Sequence, residues 1–215
     1  EKVYTTVSRH RIYGLKDVDF WWPRGFGEPA LYEAVMEVLE SDGTVLVRNV
    51  QNIGIRKVEL INSEISTKEQ PGEFYFKVNG EKVFIKGTNW ITLDAIHSRD
   101  KEHIKPSFDM LVDLNCNMIR LWGGNVYEQD EFYDLCDQNG IMVWQDFAFA
   151  CNLYPQTREF ANKVREEARK TILRLRHHPS LVIWVGNNEN DIALDFGGGD
   201  QIHIDPNTDI ISRQV

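Results

Sequence analysis

Four short apolar runs recur between residues 83 and 186, and segments long enough for a helix separate them. The runs lie near residues 83–89, 117–122, 141–146 and 181–186. Apolar runs of strand length that alternate with helical patterns are typical of βα units built around a parallel sheet. Four such units fit either an open doubly wound sheet or half of an eight-stranded barrel, and the pattern alone leaves both open.

Helices are predicted between the runs, and two of them have clear boundaries. The first carries Phe132, Leu135 and Cys136 and ends at Gly140, a common helix-ending residue. The second runs from about residue 157 to 176, with apolar residues at helical spacing along one face. These helices would cover the sheet formed by the apolar runs.

The first 60 residues follow a different pattern, with short β-like segments separated by turn residues. Residues 31–39 place alternate side chains on one face, and Asp42-Gly43 supplies a hairpin turn into residues 45–47. A further strand is expected to carry Val58 and Leu60 inward. This pattern is that of a small antiparallel sandwich.

A second hairpin, with Asn79-Gly80 at its tip, leads directly into the first apolar run of the βα region. The change of pattern places a boundary near residues 63–73. We therefore expect two domains, a β-sandwich over residues 1–70 and an α/β domain over residues 71–215.

The charge of the chain bears on its partners. A net charge of −9 and a pI near 5.2 argue against nucleic acid and anionic membranes, because both attract clustered Lys and Arg. No apolar run approaches the roughly 20 residues that a membrane helix needs. The sequence favours a periplasmic, secreted or lysosomal setting over a membrane-embedded one, and does not choose among these.

The three cysteines, Cys116, Cys136 and Cys151, are odd in number and lack CxxC spacing. We expect all three to be buried free thiols. The chain also lacks HExxH, GxSxG, GxGxxG and Walker motifs. No metal or nucleotide cofactor is therefore predicted.

Polar and indole side chains stand at the carboxyl ends of all four apolar runs, where ligands gather in both candidate folds. They are Asn89, Trp90, Arg120, Trp122, Trp144, Asp146, Asn187, Asn188 and Glu189. Indole faces stack on the C–H faces of sugars, while carboxylates and amides bind hydroxyl groups. Cleavage of a glycosidic bond needs a carboxylic acid at the leaving oxygen and a second carboxylate across the sugar. Glu189 is the candidate acid.

Each of these residues also has a purely structural explanation. A tryptophan at a strand end is commonly core packing, Asp146 fits a cap or ion-pair role, and Glu189 taken alone resembles a solvated loop carboxylate. Arg120 is harder to explain structurally, because a guanidinium inside a strand needs a partner. The convergence of four strand ends favours a functional site.

Two long motifs resemble the signatures of glycoside hydrolase family 2. Residues 176–189, RHHPSLVIWVGNNE, are similar to the acid/base signature of that family. Residues 117–122, NMIRLW, followed by residues 131–141, EFYDLCDQNGI, are similar to its other signature region. Residues 21–32, WWPRGFGEPALY, resemble part of its immunoglobulin-like sandwich. The resemblance implies an immunoglobulin-like β-sandwich followed by the N-terminal half of a (β/α)8 TIM barrel.

Within that family, four shorter segments are most similar to the β-mannosidases. They are KGTNWI at 86–91, WGG at 122–124, WQDFAFAC at 144–151 and GNNEN at 186–190. The resemblance implies retaining, exo-acting removal of terminal β-D-mannose from a glycan. Exo-β-glucosaminidase and β-galactosidase of the same family remain alternatives, as does a non-catalytic carbohydrate-binding fragment.

The resemblance also assigns roles to residues. It implies that Glu189 acts as general acid and then base, and that Asn188 binds the 2-hydroxyl of the sugar. Trp122 and Asp146 would line the mannose subsite, and the remaining candidates, Arg120, Trp90 and Asn89, would support it. The nucleophile of the family is a second glutamate on a later strand, which we expect in the remainder of the same polypeptide.

Overall fold

The computed structural model describes residues 16–63, 65–190 and 192, which form three β-sheets and three α-helices. Residues 1–15, part of the predicted sandwich, lie outside this range. Within the described ranges, no helix combines the length and apolar composition that a membrane crossing requires.

Strands β1 (Tyr32–Leu39) and β2 (Val45–Ile53) pair as an antiparallel hairpin, which confirms the first predicted hairpin. Asp42 accepts a hydrogen bond from the Thr44 backbone N–H in the turn. Both faces of this two-stranded sheet carry exposed apolar side chains, since the neighbours Val35 and Met36 are 45% and 62% exposed. The second layer of a sandwich is not among the described residues.

Strands β3 (Val58–Asn62), β4 (Phe74–Val78) and β5 (Glu81–Val83) form a second antiparallel sheet in the order β3-β4-β5. The turn between β4 and β5 is the predicted Asn79-Gly80, with positive φ angles of 51° and 90°. Because β3 pairs with β4, this sheet crosses the boundary predicted near residue 70. The division into two domains stays a prediction.

The third sheet is parallel, with strands in the order β6-β7-β8-β9, and helices connect its strands. Its elements are β6 (Gly87–Trp90), α1 (Lys101–Asp113), β7 (Met118–Leu121), α2 (Asp130–Asn139), β8 (Met142–Asp146), α3 (Arg158–Leu175) and β9 (Leu181–Val185). The four predicted βα strands are therefore confirmed. The first begins at Gly87 rather than near residue 83, because the residues before it belong to the β4–β5 hairpin.

The ends of the helices have local explanations. Gly140 adopts the left-handed conformation after α2, with φ of 67°, as a helix-ending glycine does. The Thr157 hydroxyl accepts a hydrogen bond from the Phe160 N–H and caps α3. The bounds of α1 were not assigned from the sequence, although Ile104, Phe108 and Leu111 bury one face at helical spacing.

Register decides which side chains share a face of the parallel sheet. Asn89, Arg120 and Trp144 are paired across β6, β7 and β8, so they point to the same side. Successive residues of a strand point to opposite faces, so Trp90 and Leu121 point to the other side. That second side packs against the helices, in a core that includes Trp90, Leu121 and Phe132. We call the first side the concave face.

At the amino-terminal end of the parallel strands, the concave face is closed by apolar packing. Met118 and Met142 contact Trp21 and Phe76 there in a second core cluster. Arg56 fastens the segment between β2 and β3 to the sheet by donating to the carbonyls of Pro179 and Leu181, at 3.0 and 2.8 Å. The polar strand ends are left at the opposite, carboxyl-terminal end.

Candidate active site

A buried ion pair lies at the carboxyl-terminal end of the parallel sheet. Arg120 of β7 and Asp146 of β8 point to the concave face, and an Arg120 Nη atom lies 2.7 Å from Asp146 Oδ2. The Asp146 side chain has no exposed surface. Its oxygens also accept hydrogen bonds from the Gly123 N–H at 3.1 Å and the Trp144 indole N–H at 2.8 Å. Arg120 was expected to need a partner, and that partner is Asp146.

The same guanidinium reaches the residues that follow β9. The Arg120 Nη atom donates to Asn188 Oδ1 at 2.7 Å. Asn188 is buried, whereas Glu189 beside it is exposed. The structure thus joins Arg120, Asp146 and Asn188 in one hydrogen-bonded group with Glu189 at its exposed edge. We call these four residues the polar cluster.

Glu189 has an unusual backbone conformation, with φ of 58°. Non-glycine residues rarely adopt positive φ, and such strained residues concentrate at functional sites. The turn follows Gly186 and directs the Glu189 side chain outward, while Asn188 points inward to Arg120. Two adjacent residues therefore serve different parts of the cluster.

Backbone hydrogen bonds continue past the ends of β8 and β9. The Phe147 N–H donates to the Val185 carbonyl, and the Asn188 N–H donates to the Phe149 carbonyl, both at 2.8 Å. The Cys151 N–H then donates to the Asn188 carbonyl at 2.8 Å. Asn188 is consequently held by its main chain as well as by its side chain.

Trp122 lies just beyond β7 and is half-buried. Its indole ring packs over Gly124, where an added Cβ would lie 2.1 Å from the ring. At Gly123, an added Cβ would lie only 2.4 Å from the Phe149 carbonyl oxygen. The two glycines therefore let the loop after β7 pack tightly against the loop after β8, beside Asp146.

Trp90 is not brought to the polar cluster. It is only 5% exposed and packs in the helix-side core, with its ring centroid 5.0 Å from that of Phe132. Its indole N–H donates to the buried Glu128 carboxylate at 2.9 Å. Burial raises the pKa of Glu128, and the Trp90 hydrogen bond partly opposes that shift. Asn89, and not Trp90, takes the concave face at this strand end, and support of the sugar subsite by Trp90 stays a prediction.

Asn89 is exposed on the concave face. It borders an open cavity of about 1050 Å³, together with Arg120 and Trp144. Much of the lining of this cavity is apolar and includes Phe74 and Phe76. Asn89 and Arg120 thus stand where the apolar interior of the sheet gives way to the polar cluster.

Sequence reasoning placed Trp144 at a strand end without giving it a role, and it missed Cys151. Trp144 binds Asp146 through its indole N–H, and its spacing of two residues from Asp146 on one strand was the available signal. The expectation of three buried thiols holds for Cys116 and Cys136 and is wrong for Cys151, which is exposed. Cys151 lies in the loop after β8, in contact with Asn188 and Glu189.

A possible metal-binding group lies at the other end of the sheet. Among the described residues, Asp134, Asp137 and His178 have ligand atoms within 4.8 Å of one another. The Asp137 oxygens are already used by the His178 ring at 2.6 Å and the Ser180 N–H at 3.0 Å. This group is a hydrogen-bonded core pair with a neighbouring acid.

Comparisons with known proteins agree with this architecture. The family model "Glycosyl hydrolases family 2, TIM barrel domain" matches residues 72–201. Beta-mannosidase of Bos taurus is 45% identical over 182 residues, which are 84% of this chain and 20% of that protein. The crystal structure of Beta-D-Mannosidase from Dictyoglomus thermophilum has 45% identity and a TM-score of 0.74, and the match covers 80% of this chain and 21% of that one.

Similarity of fold extends to a second activity class. The apo structure of Bacteroides uniformis beta-glucuronidase 3 has 26% identity and a TM-score of 0.65, covering 82% of this chain and 21% of that one. The chain spans about a fifth of the length of the curated relatives that it matches. Because the family model covers the whole parallel sheet and its helices, the chain belongs to glycoside hydrolase family 2, and this sheet is part of a TIM barrel.

Proposed function

We propose that this chain carries part of the active site of a retaining, exo-acting β-mannosidase that removes terminal β-D-mannose from glycans. One observation carries the proposal: Glu189 emerges at the carboxyl-terminal end of the parallel strands, beside an asparagine held by a buried arginine–aspartate pair. Catalytic groups of TIM barrels stand at this end. Relatives with about 45% identity bear the name β-mannosidase, which supports the choice of sugar.

Glu189 is the proposed general acid and, in the second step, the general base. Its exposed carboxyl is free to reach a glycosidic oxygen, as protonation of a leaving group requires. Asn188 is the proposed ligand of the sugar 2-hydroxyl. Its amide oxygen is already bound to Arg120, so the orientation of the amide is set before a sugar arrives.

Asp146 takes a different role in this proposal from the one that the resemblance implied. Its side chain has no exposed surface, and four protein donor groups surround its two oxygens. Asp146 therefore acts by fixing Arg120, and through Arg120 it positions Asn188. Trp122 and Asn89 remain the proposed sugar-contacting residues near the cluster.

A retaining mechanism needs a second carboxylate about 5 to 5.5 Å from the first. Besides Glu189, the polar cluster contains one carboxylate, Asp146, which is buried and fully hydrogen-bonded. We therefore place the nucleophile on another part of the same polypeptide. The β1–β2 hairpin, with exposed apolar side chains on both faces, is the proposed remnant of an immunoglobulin-like sandwich from the same protein.

The test compares Glu189→Gln with the parent enzyme, using the full-length polypeptide that contains this chain. On phenyl β-mannoside, whose phenol is a poor leaving group, we expect kcat/KM, which reports the glycosylation step, to fall about 100-fold or more, because general acid catalysis contributes about 10² to 10⁴. On 2,4-dinitrophenyl β-mannoside the glycosylation step needs little acid assistance, so its loss should be much smaller. Equal losses on both substrates would contradict an acid role.

Two comparisons complete this test. Glu159→Gln changes an exposed carboxylate on α3, paired with Lys163, and should leave both rates unchanged. Aryl β-galactoside and β-glucosaminide are assayed beside the β-mannoside, and faster turnover of either would reject the proposed sugar. The 215-residue chain alone is expected to be inactive, so turnover by it would contradict the placement of the nucleophile elsewhere.

A further inference from the structure

We propose that Cys151 is a positioning residue for the acid, holding the Glu189 carboxyl through its thiol and tying it to Asn188. This inference rests on the proposed function, because it concerns the orientation of Glu189. It adds a residue from the loop after β8 to a site otherwise formed by strand ends.

The Cys151 sulfur has two polar contacts, one with each residue of the Asn188-Glu189 pair. Sγ accepts a hydrogen bond from Asn188 Nδ2 at 3.2 Å. The thiol donates to Glu189 Oε2 at 3.4 Å. A thiol has one weak donor and weak acceptor capacity, and both are used here in a chain from the amide to the carboxylate.

This series of hydrogen bonds begins at a buried residue, Asp146. Asp146 binds Arg120, Arg120 binds Asn188 Oδ1, and the other end of the same amide binds Cys151. Each link fixes the next, since an amide with both ends engaged cannot rotate without losing hydrogen bonds. Cys151 is the last link before the exposed carboxyl.

The main chain keeps the thiol in place. The Cys151 N–H donates to the Asn188 carbonyl at 2.8 Å, and Ala150 and Asn188 form a parallel bridge. Cys151 has a φ of 46° and Glu189 one of 58°, so two non-glycine residues in left-handed conformations face each other. Such conformations persist when the surrounding structure holds them.

The contact has a chemical consequence for the acid. A carboxyl group has two oxygens, and only one of them needs to carry the proton to the leaving group. A thiol bound to Oε2 restricts rotation of the carboxyl and leaves Oε1 for the glycosidic oxygen. Positioning of this kind acts on the chemical step rather than on sugar binding.

The experiment uses the full-length polypeptide with Cys151→Ala and Cys151→Ser. We expect Cys151→Ala to lower kcat/KM on phenyl β-mannoside about 3- to 10-fold, the effect of losing a hydrogen bond near 1 kcal/mol. On 2,4-dinitrophenyl β-mannoside, where glycosylation needs little acid assistance, kcat/KM should change little. Serine keeps a donor and an acceptor at this position, so Cys151→Ser should restore most of the loss.

Cys116→Ala is the matched control, because it removes a buried thiol in the helix-side core, and it should not produce a leaving-group-dependent change. Equal losses for Cys151→Ala on both substrates, no loss at all, or no recovery with serine would overturn the inference. The proposed function fails separately, through the absence of a leaving-group effect in Glu189→Gln. If Glu189→Gln behaves as an acid variant and Cys151→Ala does not differ from the parent, only the positioning role is rejected.

Discussion

Two buried aspartates at opposite ends of the parallel sheet have similar local contacts but belong to hydrogen-bond networks that end in different places. Asp146 and Asp137 are each 1% exposed, and both oxygens of each accept hydrogen bonds. The network of Asp137 ends within the core at His178 and Ser180. The network of Asp146 continues through Arg120 to an exposed acid. Burial and pairing alone therefore do not distinguish the two carboxylates, whereas the residues at the far end of each network do.

The largest predicted effect is on activity. Asp146→Asn removes the negative partner of Arg120, so the guanidinium should shift and carry Asn188 with it. We expect kcat/KM of the full-length protein to fall about 100-fold, the cost of a misplacement of roughly 1 Å at a catalytic site. Steady-state kinetics on an aryl β-mannoside measure this. Activity within a factor of two of the parent would show that the two aspartates are equivalent.

The matching change at the other end should affect stability instead. Asp137→Asn weakens the buried hydrogen bonds to His178 and Ser180, and we expect it to lower the free energy of unfolding by about 3 kcal/mol, the upper end of the cost of an unsatisfied buried polar group. Urea denaturation measures this loss, and kcat of the folded protein should stay within about a factor of two. A large loss of kcat at unchanged stability would reverse the comparison.

A smaller effect is expected from the glycine beside Asp146. A methyl group at Gly123 would meet the Phe149 and Phe147 carbonyl oxygens at 2.4 and 2.8 Å, so Gly123→Ala should cost about 1 to 3 kcal/mol and disturb the N–H bond to Asp146. Gly186→Ala is the control, because nothing lies within 4 Å of an added Cβ there. Urea denaturation of both variants tests the difference, and equal stabilities would argue against tight loop packing.

The smallest predicted effect concerns Glu128, a buried carboxyl outside both networks. Its pKa is raised by burial, so its contribution to stability is full below the ordinary value of 4.5 and is lost as pH rises through the raised value. Glu128→Gln keeps an acceptor for Trp90 without this loss. The parent should therefore lose stability relative to the variant as the pH rises from 4.5 towards neutral. Parallel pH dependences in thermal unfolding would contradict this.

The parallel sheet was predictable from the sequence because its strands are short apolar runs that meet in one core. The polar ends of these strands were also predictable, and Arg120, Asp146 and Asn188 do meet. Which of two neighbouring side chains faces the site was predicted less well. Asn89 and Trp90 were both assigned to the site, yet period-two alternation allows only one of them to face it.

The contacts that loops make could not be predicted from the sequence. Cys151 was expected to be buried because free cysteines usually are, and only the path of the loop after β8 places it against Glu189. The predicted sandwich and domain division also depend on which distant segments of the chain pack against one another. Period and propensity describe a strand or helix, whereas such contacts depend on how distant segments are joined.

The pairing of β3 with β4 has a consequence for dividing the protein. Family similarity begins at residue 72, but β3 precedes that point and supplies the backbone partner of β4 across five residue pairs. A recombinant piece that starts at residue 71 would expose this edge of β4 to pairing with other molecules. Truncation or domain exchange should therefore be made before Val58, so that the sheet beneath the barrel is transferred whole.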